Sequence, residues 1–328
     1  MGTARDYHTA TLLSSGKVLV TGRASATADL ATAELFDPTT VSFSSTGSMA
    51  TERVSHTATL LDEGKVLVTG GYDAEGKALA VAEIFDPAGG TFVPASSMVT
   101  ARYWHTATLL TNGKVLLTGG ADTSGASVAT SELFDPATGA FSPTGNMETA
   151  RYFHTATLLQ NGKVLITGGG SATAELFDAT SGTFSPTGSM ATPRFSHAAT
   201  LLNGGKVHVT GGYDSAGKAL AVAELFDPTG GTFASAGSMG TARYDHTATS
   251  LNDGKVLVAG GLRDASTSLS AAEIFDPASG TFASTANMSA ARSLHFATLL
   301  ADGEVLVTGG QGLVTGALSV LDTVELFQ

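Results

Sequence analysis

Arginine and histidine recur along this chain at one fixed spacing, and theirs is the first chemistry to consider. Histidine can bind a metal or transfer a proton, and arginine can bind anions or pair with carboxylates. Successive arginines are 48, 49, 49, 43, 49 and 49 residues apart, so the chain consists of seven copies of one repeat unit. The seven Arg-x-x-His sequences are Arg5/His8, Arg53/His56, Arg102/His105, Arg151/His154, Arg194/His197, Arg243/His246 and Arg292/His295.

A glutamate also recurs once in every unit, and we expect it to pair with the repeated arginine. The pair would form either within a unit or between neighbouring units. A catalytic group is rarely needed seven times in one chain, so we interpret the pair as structural. The glutamates are Glu34, Glu83, Glu132, Glu175, Glu224, Glu273 and Glu325.

The two positions between arginine and histidine differ from unit to unit and hold most of the large polar aromatic residues. Four of the six tyrosines and the only tryptophan lie there, and the other two tyrosines directly follow a pair of glycines. Such rings combine rigid stacking area with a hydrogen-bonding tip, which suits contact with a sugar ring or a peptide side chain. We predict that the ligand-binding residues are Tyr7, Tyr72, Tyr103, Trp104, Tyr152, Phe153, Phe195, Tyr213 and Tyr244.

The elements that position these residues are short strands, four to a unit. In the second unit the pattern predicts strands at 56–61, 65–69, 81–85 and 91–93. Gly64 favours a tight hairpin between the first two strands, and Gly70-Gly71 ends the second. The second-to-third and fourth-to-first connections leave such a sheet at the same end. All the tyrosines and the tryptophan are therefore expected on one face.

Seven such units favour an all-β, seven-bladed propeller in which the blades close around one axis. The single domain spans residues 1–328, and the seventh blade is expected to lack its outermost strand because the sequence ends before one. We expect the chain to be part of a longer protein, and the edge Val324–Phe327 to support self-association. The blades are approximately 1–49, 50–98, 99–147, 148–190, 191–239, 240–288 and 289–328.

A ring of histidines around the axis raises the hypothesis of a metal site, which the expected geometry disfavours. Metal–nitrogen bonds are ~2.0–2.1 Å long, whereas facing sheets pack roughly 10 Å apart. We therefore predict no metal site, and histidines hydrogen-bonded to the backbone near the channel. His208 replaces an apolar residue of a second strand and is expected to be a satisfied histidine in the core or in a seam.

The order of features in each unit resembles the kelch repeat along the whole chain. Each unit has a polar start with arginine, an apolar strand, a double glycine and two spaced aromatics, such as Phe85 and Phe92. The first unit departs from the pattern with Gly22-Arg23. The resemblance implies four-stranded blades with the first strand innermost.

The segment Arg5-Asp6-Tyr7-His8-Thr9 is similar to the Tyr-His copper-ligand segment of the galactose oxidase and glyoxal oxidase group. This resemblance implies a copper radical enzyme, in which a tyrosine crosslinked to cysteine is the radical site. The chain has no cysteine, and no further histidine ligand is evident. We therefore expect no catalytic residues and no cofactor, and an enzyme is the third hypothesis.

Composition excludes several classes of partner. A net charge of −12 disfavours nucleic acid, and there is no apolar run long enough to span a membrane. Two hypotheses remain: a recognition module whose aromatic face binds a glycan or a protein, and a structural module that assembles through its seventh blade. A third reading of the rings is that they only fill the channel mouth. The lysine-poor surface resembles secreted bacterial kelch-like proteins, which favours an extracellular or cell-surface location.

Overall fold

The computed structural model describes residues 1–22, 31–314 and 317–327. Within these residues the chain forms seven antiparallel sheets, six with four strands and one with three, and two small hairpins. Each sheet runs in simple order, so that every strand pairs with the one before it in its blade. The described part of the chain contains no helix capable of crossing a lipid bilayer.

The strands follow the same order in every blade, from the first, innermost strand outward. The first strands are β1 (Thr9–Leu12), β5 (Thr57–Leu60), β9 (Thr106–Leu109), β13 (His154–Leu158), β17 (Ala198–Leu201), β21 (Thr247–Ser250) and β27 (Phe296–Leu299). The second strands are β2 (Val18–Thr21), β6 (Val66–Thr69), β10 (Val115–Thr118), β14 (Val164–Gly168), β18 (Val207–Thr210), β22 (Val256–Ala259) and β28 (Val305–Thr308).

The third strands are β3 (Ala33–Asp37), β7 (Ala82–Asp86), β11 (Ser131–Asp135), β15 (Ala174–Asp178), β19 (Val222–Asp227), β25 (Ala272–Asp276) and β31 (Val324–Phe327). The fourth strands are β4 (Ser42–Ser45), β8 (Thr91–Pro94), β12 (Ala140–Pro143), β16 (Thr183–Pro186), β20 (Thr232–Ser238) and β26 (Thr281–Ser284). The hairpins are β23 (Leu262–Asp264) with β24 (Thr267–Ser268), and β29 (Gln311–Val314) with β30 (Ala317–Val320).

The seven sheets close into a ring through their first strands. Each first strand contacts those of the two neighbouring blades, and β1 contacts β27 to complete the circle. The backbone N–H of Gly310 in the last blade donates to the carbonyl of Arg5 in the first, at 2.7 Å. The prediction of a seven-bladed all-β propeller whose seventh blade has three strands is confirmed.

The hydrophobic core is divided among the seams between blades. Each of the seven buried clusters combines the second strand of one blade with the second and third strands of the next. The second strands are almost wholly apolar because both of their faces are covered, as in Val66-Leu67-Val68, which is 0% exposed. Every blade therefore depends on its neighbours for burial.

The methionines mark the same position in every unit, four residues before the arginine. Six of them are 3–4% exposed, and Met1 is partly buried against the cluster between blades seven and one. This position was not singled out from the sequence, although all seven methionines occupy it. They are Met1, Met49, Met98, Met147, Met190, Met239 and Met288.

The repeated arginine and glutamate form one buried ion pair inside every blade, at 2.5–3.2 Å. In blade three, Arg102 also donates to the carbonyl oxygens of Gly119 and Thr130, at 2.7 and 2.8 Å. Glu132 accepts two backbone N–H groups from the segment that precedes the first strand. All seven arginines are 0% exposed. The pair thus ties the chain entering a blade to that blade's second and third strands.

The double glycine is required because the next blade approaches it too closely for a side chain. Gly71 has φ +91°, and its N–H donates to the carbonyl of Arg102 at 2.9 Å. A Cβ on Gly70 would lie 2.5 Å from that same carbonyl, and one on Gly71 would lie 2.5 Å from the carbonyl of Val54. The departure at Arg23 in the first unit lies outside the described residues.

Each repeated histidine crosses a seam to the preceding blade, where its Nε2 is hydrogen-bonded to a threonine Oγ1 at 2.9–3.3 Å. His105 contacts both Thr57 and Thr69 in this way. His8 reaches Thr308 and so joins blade one to blade seven. The sequence analysis expected backbone partners, whereas these bonds use side-chain hydroxyls of the neighbouring inner strands.

His208 lies in a seam, as expected, but its ring nitrogens are not satisfied. It is 0% exposed, and its ring stacks on Phe275 of the next blade with 3.8 Å between centroids. Neither Nδ1 nor Nε2 has a hydrogen-bond partner. Burial lowers the pKa of His208 to about 3. The residue therefore acts as an aromatic filler with two unpaired polar atoms.

Removing one charge of a buried ion pair should lower the free energy of unfolding far more than removing one charge of a surface pair. We expect Glu132→Gln to lower the free energy of unfolding by about 3–5 kcal/mol, because it leaves the charge of Arg102 buried and unpaired. The control is Asp135→Asn in the same blade, whose pair with Lys114 is partly exposed and screened by solvent and should contribute far less. Urea denaturation measures both, and equal losses would contradict the structural role of the pair.

Replacing His208 by leucine, the residue at this position in the second and fourth units, should stabilise the protein increasingly as the pH falls. At pH 7 the gain is about 1 kcal/mol, since two unpaired buried nitrogens are removed. Below pH 6.5 this histidine becomes protonated in the unfolded chain, whereas in the folded chain it stays neutral down to about pH 3. The free energy of unfolding of the wild type therefore falls by roughly 1 kcal/mol per pH unit relative to that of His208→Leu. Denaturation at pH 7.5, 6.5 and 5.5 tests this, and a constant difference would refute it.

Candidate ligand-binding face

The loops that carry the variable residues lie at one end of the propeller, where the second-to-third and fourth-to-first connections meet. In most blades the residue after the arginine forms a β-bridge with the residue after the double glycine. Val54 pairs in this way with Tyr72, and Phe195 pairs with Tyr213. The two loops of a blade are therefore held together, and their side chains share one face.

The residue before each histidine forms what we call the inner ring. All seven have positive φ, between 47° and 55°, although none is glycine. Their backbones are linked from blade to blade, as where the N–H of Asp245 donates to the carbonyl of Ser196 at 3.1 Å. The left-handed conformation is uncommon for such residues, and here the surrounding hydrogen bonds maintain it. The inner ring consists of Tyr7, Ser55, Trp104, Phe153, Ser196, Asp245 and Leu294.

A continuous series of ring contacts crosses this face from blade two to blade six, and we call it the aromatic arc. Neighbouring rings in it have centroids 4.1–5.7 Å apart. All of its members are half-buried, so each ring keeps some surface open to solvent. The arc consists of Tyr72, Tyr103, Trp104, Tyr152, Phe153, Phe195, Tyr213 and Tyr244.

At the junction of blades seven and one, a polar pair of side chains takes the place of two rings. Gln311 follows the double glycine of blade seven and donates its side-chain N–H to the carboxylate of Asp6, which is buried. These two positions correspond to Tyr72 and Tyr103 at the junction of blades two and three, where two rings meet instead. The face therefore has an aromatic side and a hydrogen-bonding side.

One carboxylate of the inner ring, that of Asp245, belongs to a half-buried residue next to the arc. Burial raises the pKa of Asp245 to about 6, an effect that a hydrogen bond with Ser196 partly opposes. Burial also raises the pKa of Tyr213 to about 12, with a further contribution from the charge of Asp245. The pKa of Tyr244 is raised for the same two reasons. A carboxylate thus lies close to the Tyr213–Tyr244 end of the aromatic arc.

The structure brings eight of the nine residues proposed from the sequence into the aromatic arc, and it places Tyr7 in the inner ring. Sequence reasoning did not select Asp245, Ser196 and Ser55 as site residues. Ser55 accepts a hydrogen bond from Trp104 Nε1 at 3.0 Å. The available signal was their position directly before a repeated histidine, where Tyr7 and Trp104 stand in other units.

The residues around Tyr7 and His8 do not fit a copper centre. His8 Nε2 is hydrogen-bonded to Thr308, and burial lowers the pKa of this histidine to about 3. The described residues contain no group of three or more histidine, cysteine, aspartate or glutamate side chains that could hold a metal ion. The chain also has no cysteine with which to form the crosslinked tyrosine implied by the oxidase resemblance.

Comparison with known proteins agrees with the fold and the repeat. A model of the kelch motif matches residues 53–99 and 242–289. A solved structure described as a novel fungal alcohol oxidase with catalytic diversity among the AA5 family, in complex with copper, superposes with a TM-score of 0.79. The two are 21% identical over 94% of this chain and 71% of the oxidase chain, a likeness that concerns the fold alone. No curated protein matches the sequence significantly.

The matched motifs recur in a chain whose seven units all have the same strand order, buried arginine and inner histidine. The structure is a seven-bladed β-propeller, and two of its seven units match the kelch motif.

Proposed function

We propose that the protein is a non-enzymatic binding module whose aromatic arc is the contact surface for a glycan or protein ligand. The observation that carries this proposal is the unbroken sequence of half-buried rings on one loop face. Exposed hydrophobic rings grouped in one place are typical of interaction sites. The propeller fold itself is compatible with binding as well as with structural roles.

The backbone beneath the arc supports a binding role because it is held rigidly. The inner ring is hydrogen-bonded from blade to blade, and Trp104 is further fixed by its bond to Ser55. A surface whose backbone is already held by hydrogen bonds loses little conformational entropy when a ligand binds. The tyrosine hydroxyls add hydrogen-bonding capacity at the edges of the rings.

Truncating the arc should remove ligand binding while leaving the fold intact. A glycan and peptide array identifies a ligand of the intact protein, and the fluorescence of Trp104, the only tryptophan, then reports its binding. We expect the double variant Tyr152→Ala/Tyr213→Ala to bind at least about tenfold more weakly, with a thermal midpoint within a few degrees of the wild type.

The matched control is Phe92→Leu, which removes an aromatic ring from a fourth strand far from this face. It should bind like the wild type. If the double variant binds as tightly as the wild type, or if it loses binding only because it unfolds, the rings act as a plug of the channel mouth and the proposal is wrong.

A second candidate is assembly through the seventh blade, favoured by a cleft of about 760 Å³ between blades six and seven. Leu251, Ile274 and Phe327 are among the residues that line it. In the six other blades the third-strand phenylalanine packs on a phenylalanine of the fourth strand, at 4.8–5.0 Å. Among the residues described for blade seven, no fourth strand covers Phe327.

We expect two copies of the chain to pair along their β31 strands, because an uncovered sheet edge offers unpaired backbone groups to another strand. Sedimentation velocity over a hundredfold range of concentration tests this pairing. A sedimentation coefficient that rises with concentration supports it. The mass of a single chain at every concentration would exclude assembly by this route.

A further inference from the structure

Asp245 occupies a distinctive position at the end of the aromatic arc. It belongs to the inner ring, and its backbone N–H and C=O are hydrogen-bonded to the inner-ring residues on either side, Ser196 and Leu294. Asp245 and Ser196 are thus neighbours on this face, and the backbone that carries the carboxylate is fixed on both sides.

Two aromatic rings stand beside this carboxylate. Tyr213 and Tyr244 meet edge to face with their centroids 5.0 Å apart, and Phe195 stacks on Tyr213 at 5.2 Å. The charge of Asp245 contributes to the raised pKa of both tyrosines, which shows that their hydroxyls lie within electrostatic range of it. Aromatic faces attract organic cations, and the attraction grows when the site excludes water.

The charge of Asp245 is not balanced by the protein. None of the ion pairs formed by the described residues includes it. The nearby arginines in the sequence, Arg243 and Arg292, are committed to Glu273 and Glu325 inside their own blades. Burial alone is the main cause of the raised pKa of Asp245, and no positive group lowers it. A half-buried carboxylate with no cationic partner in the protein gains from a cation supplied by a ligand.

We propose that Asp245, Tyr213 and Tyr244 form a subsite for an organic ammonium group of the ligand. This inference rests on the proposed function, because the subsite is one end of the aromatic arc. The carboxylate supplies the opposite charge, and the rings supply faces for the alkyl groups attached to the nitrogen. The net charge of −12 adds a long-range attraction for cations. A quaternary ammonium and the primary ammonium of a lysine side chain share this chemistry.

The experiment compares a cation with a neutral molecule of the same shape. Calorimetric titration of the full chain at pH 7.5 uses choline and 3,3-dimethyl-1-butanol, in which a carbon atom replaces the charged nitrogen. A third titration with N-acetyl-lysinamide distinguishes a quaternary ammonium from a lysine side chain. We expect at least one of the two cations to bind at least tenfold more tightly than the neutral alcohol. Equal affinity, or no binding of either cation, would overturn the proposal.

The variant Asp245→Asn removes the charge and keeps the shape, and asparagine readily adopts the positive φ of this position. We expect it to abolish the preference for the cation, while the control Glu52→Gln, which removes an exposed carboxylate, keeps it. Circular dichroism checks that each variant is folded. The comparison of choline with the neutral alcohol on the wild type does not depend on these variants. Unchanged preference in folded Asp245→Asn would refute the assignment.

The pH dependence provides an independent readout. The phenols of Tyr213 and Tyr244 remain neutral, and burial lowers the pKa of the neighbouring His246 well below 6.5. Asp264, whose charge also acts on Tyr244, has a pKa lowered to about 2 by hydrogen bonds with Ser266 and Thr267 and stays ionised. Since burial raises the pKa of Asp245 to about 6, it is the group expected to titrate between pH 5.5 and 7.5. Cation affinity should be about fourfold lower at pH 5.5 than at pH 7.5, since only ionised Asp245 binds the cation. A flat profile would contradict the role of this carboxylate.

Failure of this inference is distinguishable from failure of the proposed function. If a ligand found on the array is neutral, and if it binds Asp245→Asn as tightly as the wild type while Tyr152→Ala/Tyr213→Ala loses it, the aromatic arc binds ligand without an ammonium subsite. If the arc variant also retains the ligand, the proposed function fails as well.

Discussion

The structure depends above all on the buried arginine at the start of each blade. Its guanidinium group is out of contact with water and donates to two carbonyl oxygens and a glutamate of its own blade. Its main-chain carbonyl accepts the N–H of a glycine from the preceding blade. One residue thus fixes the chain within a blade and joins that blade to its neighbour. Such a buried pair contributes more reliably to a defined arrangement than to stability, because desolvation offsets much of its attraction.

The repeated residues and the varied residues have separate tasks. Arginine and glutamate hold the chain together within each blade, and histidine, methionine and the double glycine are used in the seams between blades. The two positions between arginine and histidine project from these fixed seams onto the loop face, and there the units differ. The scaffold can therefore hold a tyrosine, a serine or an aspartate at the same inner-ring position without altering the seam beneath it.

The comparison with the fungal alcohol oxidase separates fold from chemistry. The two propellers share their architecture at 21% identity, yet His8, the residue that suggested a copper ligand here, is used to join blades one and seven. In the seam, His8 Nε2 is bonded to the hydroxyl of Thr308 and the ring is buried, so this nitrogen is not presented to a ligand. The chemistry of this chain must instead reside in the residues that the seams leave exposed.

The sequence by itself determined the propeller, the number of blades, the rank of the strands and the shared face of the tyrosines. These follow from periodic spacing and from strand alternation, which are local properties. Only the tertiary structure decided that the Arg-Glu pairs form within a blade, that histidines bond to threonines across the seams, and that His208 is left unpaired. It also decided that the rings touch in one arc and that Asp245 lies at the end of that arc. Contacts between blades join residues some 50 positions apart, and their geometry is set by the closure of the ring, which no local pattern specifies.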